Sequence, residues 1–411
     1  MVGASALGAP TVSVPDALAP VFEALVAGYT GDAPAVASGA GDLVLRAGTV
    51  AWDDLRSVAV LPDAALTRAS DDADARAFQR YAAGPDGQRA LIAAGLLPAT
   101  VTVVDQTGKT VVVPQPVERL ASPFGVATYL AYGLGAGDRI VVAGFLGARD
   151  PAGAAAMERI DPRFPTLASV AAEQSTSVEY LATLDPDLVF AAARSEWIES
   201  VEAVGMPVVA FDGESPEQLR AAVRLAGALL GPDAASRAEA WVAYYDDVLA
   251  RVAAATAGAD ATPSVLFTGS QRTRVASGAM YQTALIAAAG GRSVTADLSG
   301  YWNDVGVEQV LVWDPEWILV PPYGGASVEA VLEDPDWGLL DAVREEHVVR
   351  MPKLVAPWDT PTPDSVLAVV WLAEVLHPDA ELACADEVAF FYPRFYGYAI
   401  GADEVAELCG R

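Results

Sequence analysis

Two hydrophobic rhythms trade places along this chain. Short unbroken apolar runs suit strands buried on both faces, and stripes repeating every three and four residues suit helices packed by one side. At the amino end the pattern predicts a strand at Thr11–Val14, a helix from about Asp16 to Tyr29, a strand near Ser57–Leu61, and helices over Asp74–Ala83 and Asp86–Ala94. Thr100–Val104 and Thr110–Val113 then alternate apolar and polar around Asp105-Gln106-Thr107-Gly108-Lys109, which reads as a hairpin with a glycine-containing turn. Pro114 and Pro116 end it, and a domain boundary is expected near residue 98.

From Arg119 strands and helices alternate. Leu120–Ala121 leads into Ser122-Pro123-Phe124-Gly125, a helix runs to Tyr132, and the strand Arg139–Ala143 is followed by Phe145-Leu146-Gly147-Ala148-Arg149. Further on, Trp197–Val204 reads as helix and Pro207–Phe211 as strand. Strands separated by helices at this spacing argue a parallel sheet.

One unit is written twice. Val178-Glu179-Tyr180-Leu181 followed by Asp185-Pro186-Asp187-Leu188-Val189-Phe190 returns as Val307-Glu308-Gln309-Val310 followed by Asp314-Pro315-Glu316-Trp317-Ile318-Leu319, at a constant offset of 129 (179 to 308, 185 to 314). Each copy is a short helix with an acid near its start, an Asp-Pro stop, and a buried strand. Two equivalent units imply two equivalent lobes.

Between the copies, Ser215-Pro216-Glu217-Gln218 is a capping box with proline at the first helical position, and Gly231-Pro232 breaks the helix it starts. The next helix begins at Asp233 and carries an apolar stripe at Ala238, Trp241, Tyr245, Val248 and Val252. Some 24 residues at about 1.5 Å each give roughly 36 Å, enough to connect two lobes. Beyond it the pattern predicts a strand at Ser264–Thr268, helices at Met280–Ala289 and Val328–Leu332, a last strand at Val348–Met351, and a helix from Thr362-Pro363-Asp364 through Leu376.

Composition narrows the function. The 411 residues are 53% hydrophobic and 19% charged, enough for sizeable cores. With 25 basic against 54 acidic residues the net charge is −29, which repels nucleic acid and anionic membranes. Only Lys109 and Lys353 among the basic residues are lysines, so the acidity reflects composition bias as much as function. No apolar run reaches the roughly 18 residues of a membrane span. Met1-Val2-Gly3-Ala4-Ser5 shows no signal-peptide character, so a leader or lipid anchor, if one existed, is expected to have been removed. Cys384 and Cys409 are compatible with one disulfide or with two separate buried thiols. His347 and His377, the only histidines, read as surface or capping residues, too few for a bare transition-metal site. Paired acids such as Asp246-Asp247 and Glu345-Glu346 read as solvated faces. No phosphate loop, zinc-protease motif or nucleophile elbow is present, so the chain reads as a binder and not as an enzyme.

Two resemblances refine this reading. Val14-Pro15-Asp16-Ala17-Leu18-Ala19-Pro20-Val21-Phe22, Ala37-Ser38-Gly39-Ala40-Gly41-Asp42-Leu43, Ala77-Phe78-Gln79-Arg80-Tyr81 and Ala93-Ala94-Gly95-Leu96-Leu97 resemble the two ends of extracellular molybdate- or tungstate-type binding proteins. Residues 1–98 are thus expected to be a small, shortened α/β unit, with Ser38 and the turn amides as its candidate oxyanion contacts. The rest resembles the binding components of ABC importers for iron siderophores and cobalamin. The resemblance rests on Glu118-Arg119-Leu120-Ala121-Ser122, Leu134-Gly135-Ala136-Gly137-Asp138-Arg139-Ile140-Val141, both repeats, the connecting helix, Ser277-Gly278 with Ala289-Gly290-Gly291, and Phe391-Tyr392-Pro393-Arg394-Phe395-Tyr396-Gly397.

That resemblance implies an α/β fold of two Rossmann-like lobes with parallel sheets, joined by a long helix: lobe 1 over about 99–214, connecting helices 215–257, lobe 2 over 258–411. It places Glu179 and Glu308 where the family docks on permease arginines; the alternative for each is an acid that merely suits a helix dipole. Ligands of parallel sheets lie at the carboxyl ends of strands, which selects Ser122, Phe124, Phe145, Arg149, Arg194, Arg272, Arg274, Trp302, Tyr323 and Trp358. Trp302 matches an aromatic of the cobalamin-binding relatives. Arginines beside aromatics suit an anionic, planar or chelated ligand. The expected function is a monomeric periplasmic or extracellular solute-binding protein, membrane-anchored in its precursor form, that delivers a ferric siderophore, haem or a corrinoid to an ABC permease without an intrinsic cofactor. The alternatives are a cell-surface sensor or scaffold on the same fold, and molybdate or tungstate binding.

Overall fold

The computed structural model describes residues 9–37, 41–51, 54, 56–144, 151–170, 176–259 and 261–410. Its amino-terminal part is a mixed sheet backed by helices: β1 (Thr11–Ser13), α1 (Ala19–Gly28), β2 (Ala35–Val36), β3 (Leu43–Ala47), β4 (Ser57–Leu61), β5 (Ala64–Arg68), α2 (Ala73–Ala83) and α3 (Pro85–Ala93). The strand order is β2-β1-β3-β5-β4. Val12, Phe22, Leu25, Leu45, Leu66, Phe78 and Leu91 form a core separate from the rest of the chain. Strands β3 and β5 are absent from the sequence reading, because Arg46 and Thr67 interrupt their apolar runs. Ser38 lies outside the described residues. The expected hairpin follows as β6 (Thr100–Val104) and β7 (Thr110–Pro114), in register from Thr100–Pro114 to Val104–Thr110.

Lobe 1 comprises β8 (Leu120–Ser122), α4 (Gly125–Gly133), β9 (Ile140–Gly144), α5 (Pro151–Ile160), β10 (Ala168–Val170), α6 (Val178–Thr183), β11 (Leu188–Ala192), α7 (Ile198–Glu202) and β12 (Val208–Phe211). Its sheet is all parallel, in the order β10-β9-β8-β11-β12. Helix α5 escapes the pattern reading because its Ala-Gly-Ala-Ala-Ala stretch carries little apolar contrast. Two helices follow, α8 (Pro216–Leu230) and α9 (Pro232–Thr256). Ser215 caps the first through its side chain, 3.1 Å from the Gln218 amide. Gly231 turns the chain between them at φ +100°, a conformation open to glycine.

Lobe 2 contains β13 (Ser264–Phe267), β14 (Arg274–Ala276), α10 (Tyr281–Ala288), β15 (Arg292–Ser293), β16 (Trp302–Asp304), α11 (Val307–Trp313), β17 (Trp317–Val320), α12 (Val328–Leu332), α13 (Asp341–Arg344) and β18 (Val348–Arg350). Its main sheet, β15-β13-β17-β18, is again parallel, and β14 with β16 forms a separate antiparallel ribbon. The chain ends in α14 (Ser365–Leu376), α15 (Cys384–Phe391) and α16 (Ala402–Cys409). Cys384 and Cys409 are disulfide-bonded, which ties α15 to the end of α16 and settles the two alternatives left by their spacing. His377 follows α14 as its C-cap, with Nε2 3.1 Å from the Gly290 carbonyl, while His347 stacks on Trp317 at 4.1 Å.

The repeat is structural. Helix α6 with β11, and α11 with β17, are the paired units, and the residue before proline in each, Asp185 and Asp314, sits in the left-handed region at φ 44° and 39°. Proline bars its predecessor from continuing the helix, and Asp is one of few residues that tolerates this conformation.

Helix α9 has 25 residues, about 37 Å. All five stripe positions are buried. Trp241 stacks on Tyr245 at 4.9 Å and donates from Nε1 to the Pro363 carbonyl, and the Tyr245 hydroxyl lies 3.2 Å from that of Tyr281. The main core runs unbroken from Phe190 and Phe211 of lobe 1 through Trp241 to Phe267 and Leu319 of lobe 2 and the apolar α14. Each large side chain so buried contributes roughly 1.5–3 kcal/mol. The amino-terminal unit docks on this body through Gln88 to the Leu230 carbonyl, the Ala59 amide to Asp233, and an Arg89–Glu118 ion pair. Among the described residues no helix is long and apolar enough to cross a membrane.

Candidate functional site

In a parallel sheet whose first strand lies in the middle, the chain leaves that strand to one side and later returns to the other, opening a crevice at the carboxyl ends of the two central strands. Both sheets here have that order. In lobe 1 the crevice lies between β8 and β11, whose ends present Phe124 and Arg194; in lobe 2 it lies between β13 and β17, whose ends lead to Ser270 and Tyr323. The Ser270 carbonyl accepts from the Gly325 and Ala326 amides, which holds the two lobe-2 loops together.

Arg194 touches both lobes. Its side chain is 54% exposed, and its guanidinium stands 5.8 Å from the ring centroid of Phe124 in its own lobe and 5.1 Å from that of Tyr301 in the other. Such placement over aromatic faces fixes the cation without using up its donors. Glu214 completes the cluster: one carboxylate oxygen is 4.0 Å from Arg194 and accepts from the Tyr301 hydroxyl, and the other accepts from the Tyr281 amide at 3.1 Å. Burial, reinforced by the Glu214 charge, raises the Tyr301 phenol, so it stays a donor.

Below this cluster, Tyr323 donates to Asp359 at 2.6 Å. Asp359 is fully buried, one of its oxygens has no hydrogen-bond partner, and burial pushes its carboxyl up to about 6. Deeper still, Asp364 accepts from Tyr392 at 3.0 Å and Tyr396 at 2.5 Å, and burial pushes it up to about 7. These acids sit on the loop that joins the last strand of lobe 2 to α14 and packs between the lobes.

The sequence panel divides accordingly. Phe124, Arg194 and Tyr323 stand at the crevice. Trp302 is half-buried against Phe267, with their ring centroids 6.4 Å apart. Ser122 is fully buried and closes on Thr128 at 3.0 Å; it shapes the loop rather than facing a ligand. Arg272 turns into its own lobe, onto Asp334 at 2.5 Å and the Ala330 carbonyl. Arg274 is exposed on the β14–β16 ribbon, opposite Asp304. Trp358 is a core residue, not a crevice residue: it is fully buried and donates from Nε1 to the Tyr392 hydroxyl at 3.0 Å. Its loop folds inward, so an indole next to a predicted cleft packs the protein instead. Phe145 and Arg149 lie outside the described residues.

Glu214, Tyr301 and Asp359 were missed. Glu214 immediately precedes the Ser215 cap, Tyr301 adjoins Trp302, and Asp359 adjoins Trp358; a polar group beside an aromatic in a loop was the available signal for Tyr301 and Asp359, and Glu214 carried none beyond its place ahead of a helix cap. Among the described residues, no group of three or more His, Cys, Asp or Glu side chains is placed to hold a metal ion. Glu179 and Glu308 are both exposed in the first turns of α6 and α11, and among the described residues neither makes an ion pair. The Glu179 carboxyl is held below its usual value by its own backbone amide and Ser177.

Comparison with known proteins agrees with this architecture. The molybdate-binding protein MolA of Haemophilus influenzae is 25% identical over 273 residues, 60% of this chain and 78% of its own. Its molybdate-bound structure superposes with a TM-score of 0.65 at 22% identity, covering 73% of this chain and 99% of that one. A periplasmic solute-binding protein from Veillonella parvula gives 0.64 at 23% identity, over 75% and 96%. The apo haem-binding protein RhuT of Roseiflexus gives 0.54 at 22%, over 65% and 100%. Residues 126–354, more than half of the chain, match the periplasmic binding protein family, whose members bind rather than catalyse. With the two parallel sheets, the connecting helix and the interlobe crevice, this match makes the chain a member of the periplasmic binding protein family.

Proposed function

We propose that this protein is the solute-binding component of an ABC importer, and that it carries an anionic metal chelate, a ferric siderophore, haem or a corrinoid, in the crevice between its lobes. The observation that carries the reading is Arg194, held between Phe124 of one lobe and Tyr301 of the other, 54% exposed and 4.0 Å from Glu214. A cation flanked by aromatic faces suits a ligand that is both negative and flat. A second reading, molybdate, is favoured by the relative named for that ligand, since an arginine with nearby phenol donors also suits a compact oxyanion. Thermal shift with ferric siderophores, haem, corrinoids and molybdate separates the two. Stabilisation by molybdate alone overturns the chelate reading; stabilisation by a chelate alone removes the second.

Glu179 and Glu308 are assigned to the permease. Each is an exposed acid with no ion pair among the described residues, one per lobe at equivalent positions of the repeat, so together they can register the protein on a basic surface. Reversing both charges is expected to abolish uptake while leaving solute affinity within about twofold, since surface changes away from a site are nearly neutral. Loss of affinity with uptake in proportion refutes the docking role. Residues 1–98 are assigned to a separate folding unit carried on the connecting helices and lobe 1, and the cellular location to the periplasm or cell exterior.

A further inference from the structure

A second cavity, lined by none of Phe124, Arg194, Ser270 or Tyr323, lies where the amino-terminal unit meets lobe 1 and α9. It encloses about 380 Å³, within the size range of small-molecule sites. Five arginines line it, Arg68 and Arg80 from the amino-terminal unit, Arg139 from lobe 1, Arg237 from α9 and Arg394 from the carboxyl-terminal segment, with only Asp138 and Asp233 to offset them. The chain as a whole has 54 acidic against 25 basic residues. A pocket with more than twice as many cations as anions therefore runs against the composition of the whole molecule.

The local bonding of Arg68, Arg80 and Arg139 leaves charge and donors over. Asp233 is already engaged at both oxygens, by the Ala59 amide at 3.1 Å and Arg237 Nε at 2.8 Å. Arg139 is 6% exposed; its Nη1 donates to the Val117 and Leu230 carbonyls, and its Nε has no acceptor. Arg68 pairs with Asp71 on the outside, and its buried Nε likewise has no acceptor. Arg80 is exposed and forms no ion pair among the described residues. Buried cations cost several kcal/mol each unless compensated, and like charges brought together add to that cost. An acceptor-rich guest supplies what the protein lacks here: negative charge and several acceptor oxygens, which guanidinium groups bind in bidentate fashion. The amino end of α9, at Asp233 and Ala234, also opens on the cavity and adds a favourable dipole for an anion.

We propose that this cavity is an oxyanion site for phosphate-class ligands, inorganic phosphate or pyrophosphate or the phosphoryl end of a metabolite, and that its occupant clamps the amino-terminal unit to lobe 1. Its walls come from the amino-terminal unit, lobe 1, α9 and the carboxyl-terminal segment, so a multivalent anion bound there bridges the amino-terminal unit to the body it docks on. The site is independent of the solute in the crevice.

The test is calorimetric titration of the full chain with pyrophosphate, against sodium chloride at matched ionic strength, for the natural protein and for Arg80→Gln, Arg80→Gln/Arg237→Gln and Arg194→Gln. Pyrophosphate is expected to bind the natural protein and Arg194→Gln equally, Arg80→Gln at least fivefold more weakly, and the double variant at least tenfold more weakly. Arg80 is exposed, so its variant folds even if the double variant does not, and it then decides alone. Heat no greater than that of chloride overturns the proposal. So does binding that survives loss of Arg80 and fails on loss of Arg194, which would place the anion in the crevice.

Discussion

Asp187 and Glu316, 129 residues apart, do the same work in the two lobes. The Asp187 carboxylate accepts from the Glu118 and Arg119 amides, both at 2.8 Å, just before β8; the Glu316 carboxylate accepts from the Ser264 amide at 2.6 Å and its hydroxyl at 2.9 Å, at the start of β13. In each lobe, therefore, the acid that follows the Asp-Pro turn pins the first strand of its sheet. That pairing fixes the register from which the crevice between central strands follows.

Removing either acid leaves backbone donors unpaired. Asp187→Ala, whose donors lie at the surface, is expected to cost about 1 kcal/mol, and Glu316→Ala, whose partner Ser264 is buried, about 2–3 kcal/mol. The sites lie in separate lobes, so urea denaturation of the double variant should return the sum to within about 0.5 kcal/mol.

On the proposed function, Arg194 serves binding and contributes little to folding. Arg194→Gln removes a charge-assisted contact worth about 1.5–3 kcal/mol, so the solute dissociation constant should rise roughly 10- to 100-fold. Its side chain is 54% exposed, and the melting temperature of the solute-free protein should barely move. A large drop in melting temperature with unchanged affinity would reverse the assignment.

The buried acids at the crevice give stability a particular dependence on pH. Asp359 and Asp364 are raised to about 6 and about 7 from an ordinary value of 3.8, so between pH 3.8 and those values the folded state holds protons that the unfolded state has released. Folding is then favoured at the acidic end of that window, and the contribution is lost as pH rises through the folded values. A rise of about two units in Asp359 corresponds to roughly 3 kcal/mol. Asp359→Asn keeps an acceptor for Tyr323 and should be more stable than the natural protein at pH 8, with the difference vanishing near pH 4. Carboxylates held low, such as Asp161 and Glu404, slope the other way at lower pH and cancel in the comparison.

The disulfide closes a separation of 25 residues. Chain-entropy reasoning assigns such a loop about 3.5 kcal/mol. Replacing both cysteines by serine should lower stability by about that amount, read as a matched loss on adding reductant to the natural protein. Reductant should leave the serine variant unchanged.

The repeat made the lobes legible, because parallel strands buried on both faces leave unbroken apolar runs, and the Asp-Pro stop is local chemistry. The connector was legible for the same kind of reason: Ala238, Trp241, Tyr245, Val248 and Val252 keep helical spacing and all are buried. Helix α5 and strands β3 and β5 lack such contrast. The crevice was legible only in part. Phe124, Arg194 and Tyr323 follow from strand ends, but Glu214 reaches Tyr301 across 87 residues, and no local pattern announces a pairing between lobes. Trp358 shows the converse: an indole in a loop after the last strand is drawn inward by Tyr392, where sequence spacing alone suggested a ligand wall.

The unbroken core through α9 carries a thermodynamic consequence. Phe190, Trp241, Phe267 and Trp371 belong to one apolar body, larger than the core each lobe keeps to itself around Val189 or Ile318, so parting the lobes opens that shared body to water. The lobes should lose structure in a single cooperative step, and neither should survive excision. A solute held at their mouth then protects every residue of that body equally, including those on the far side of α14.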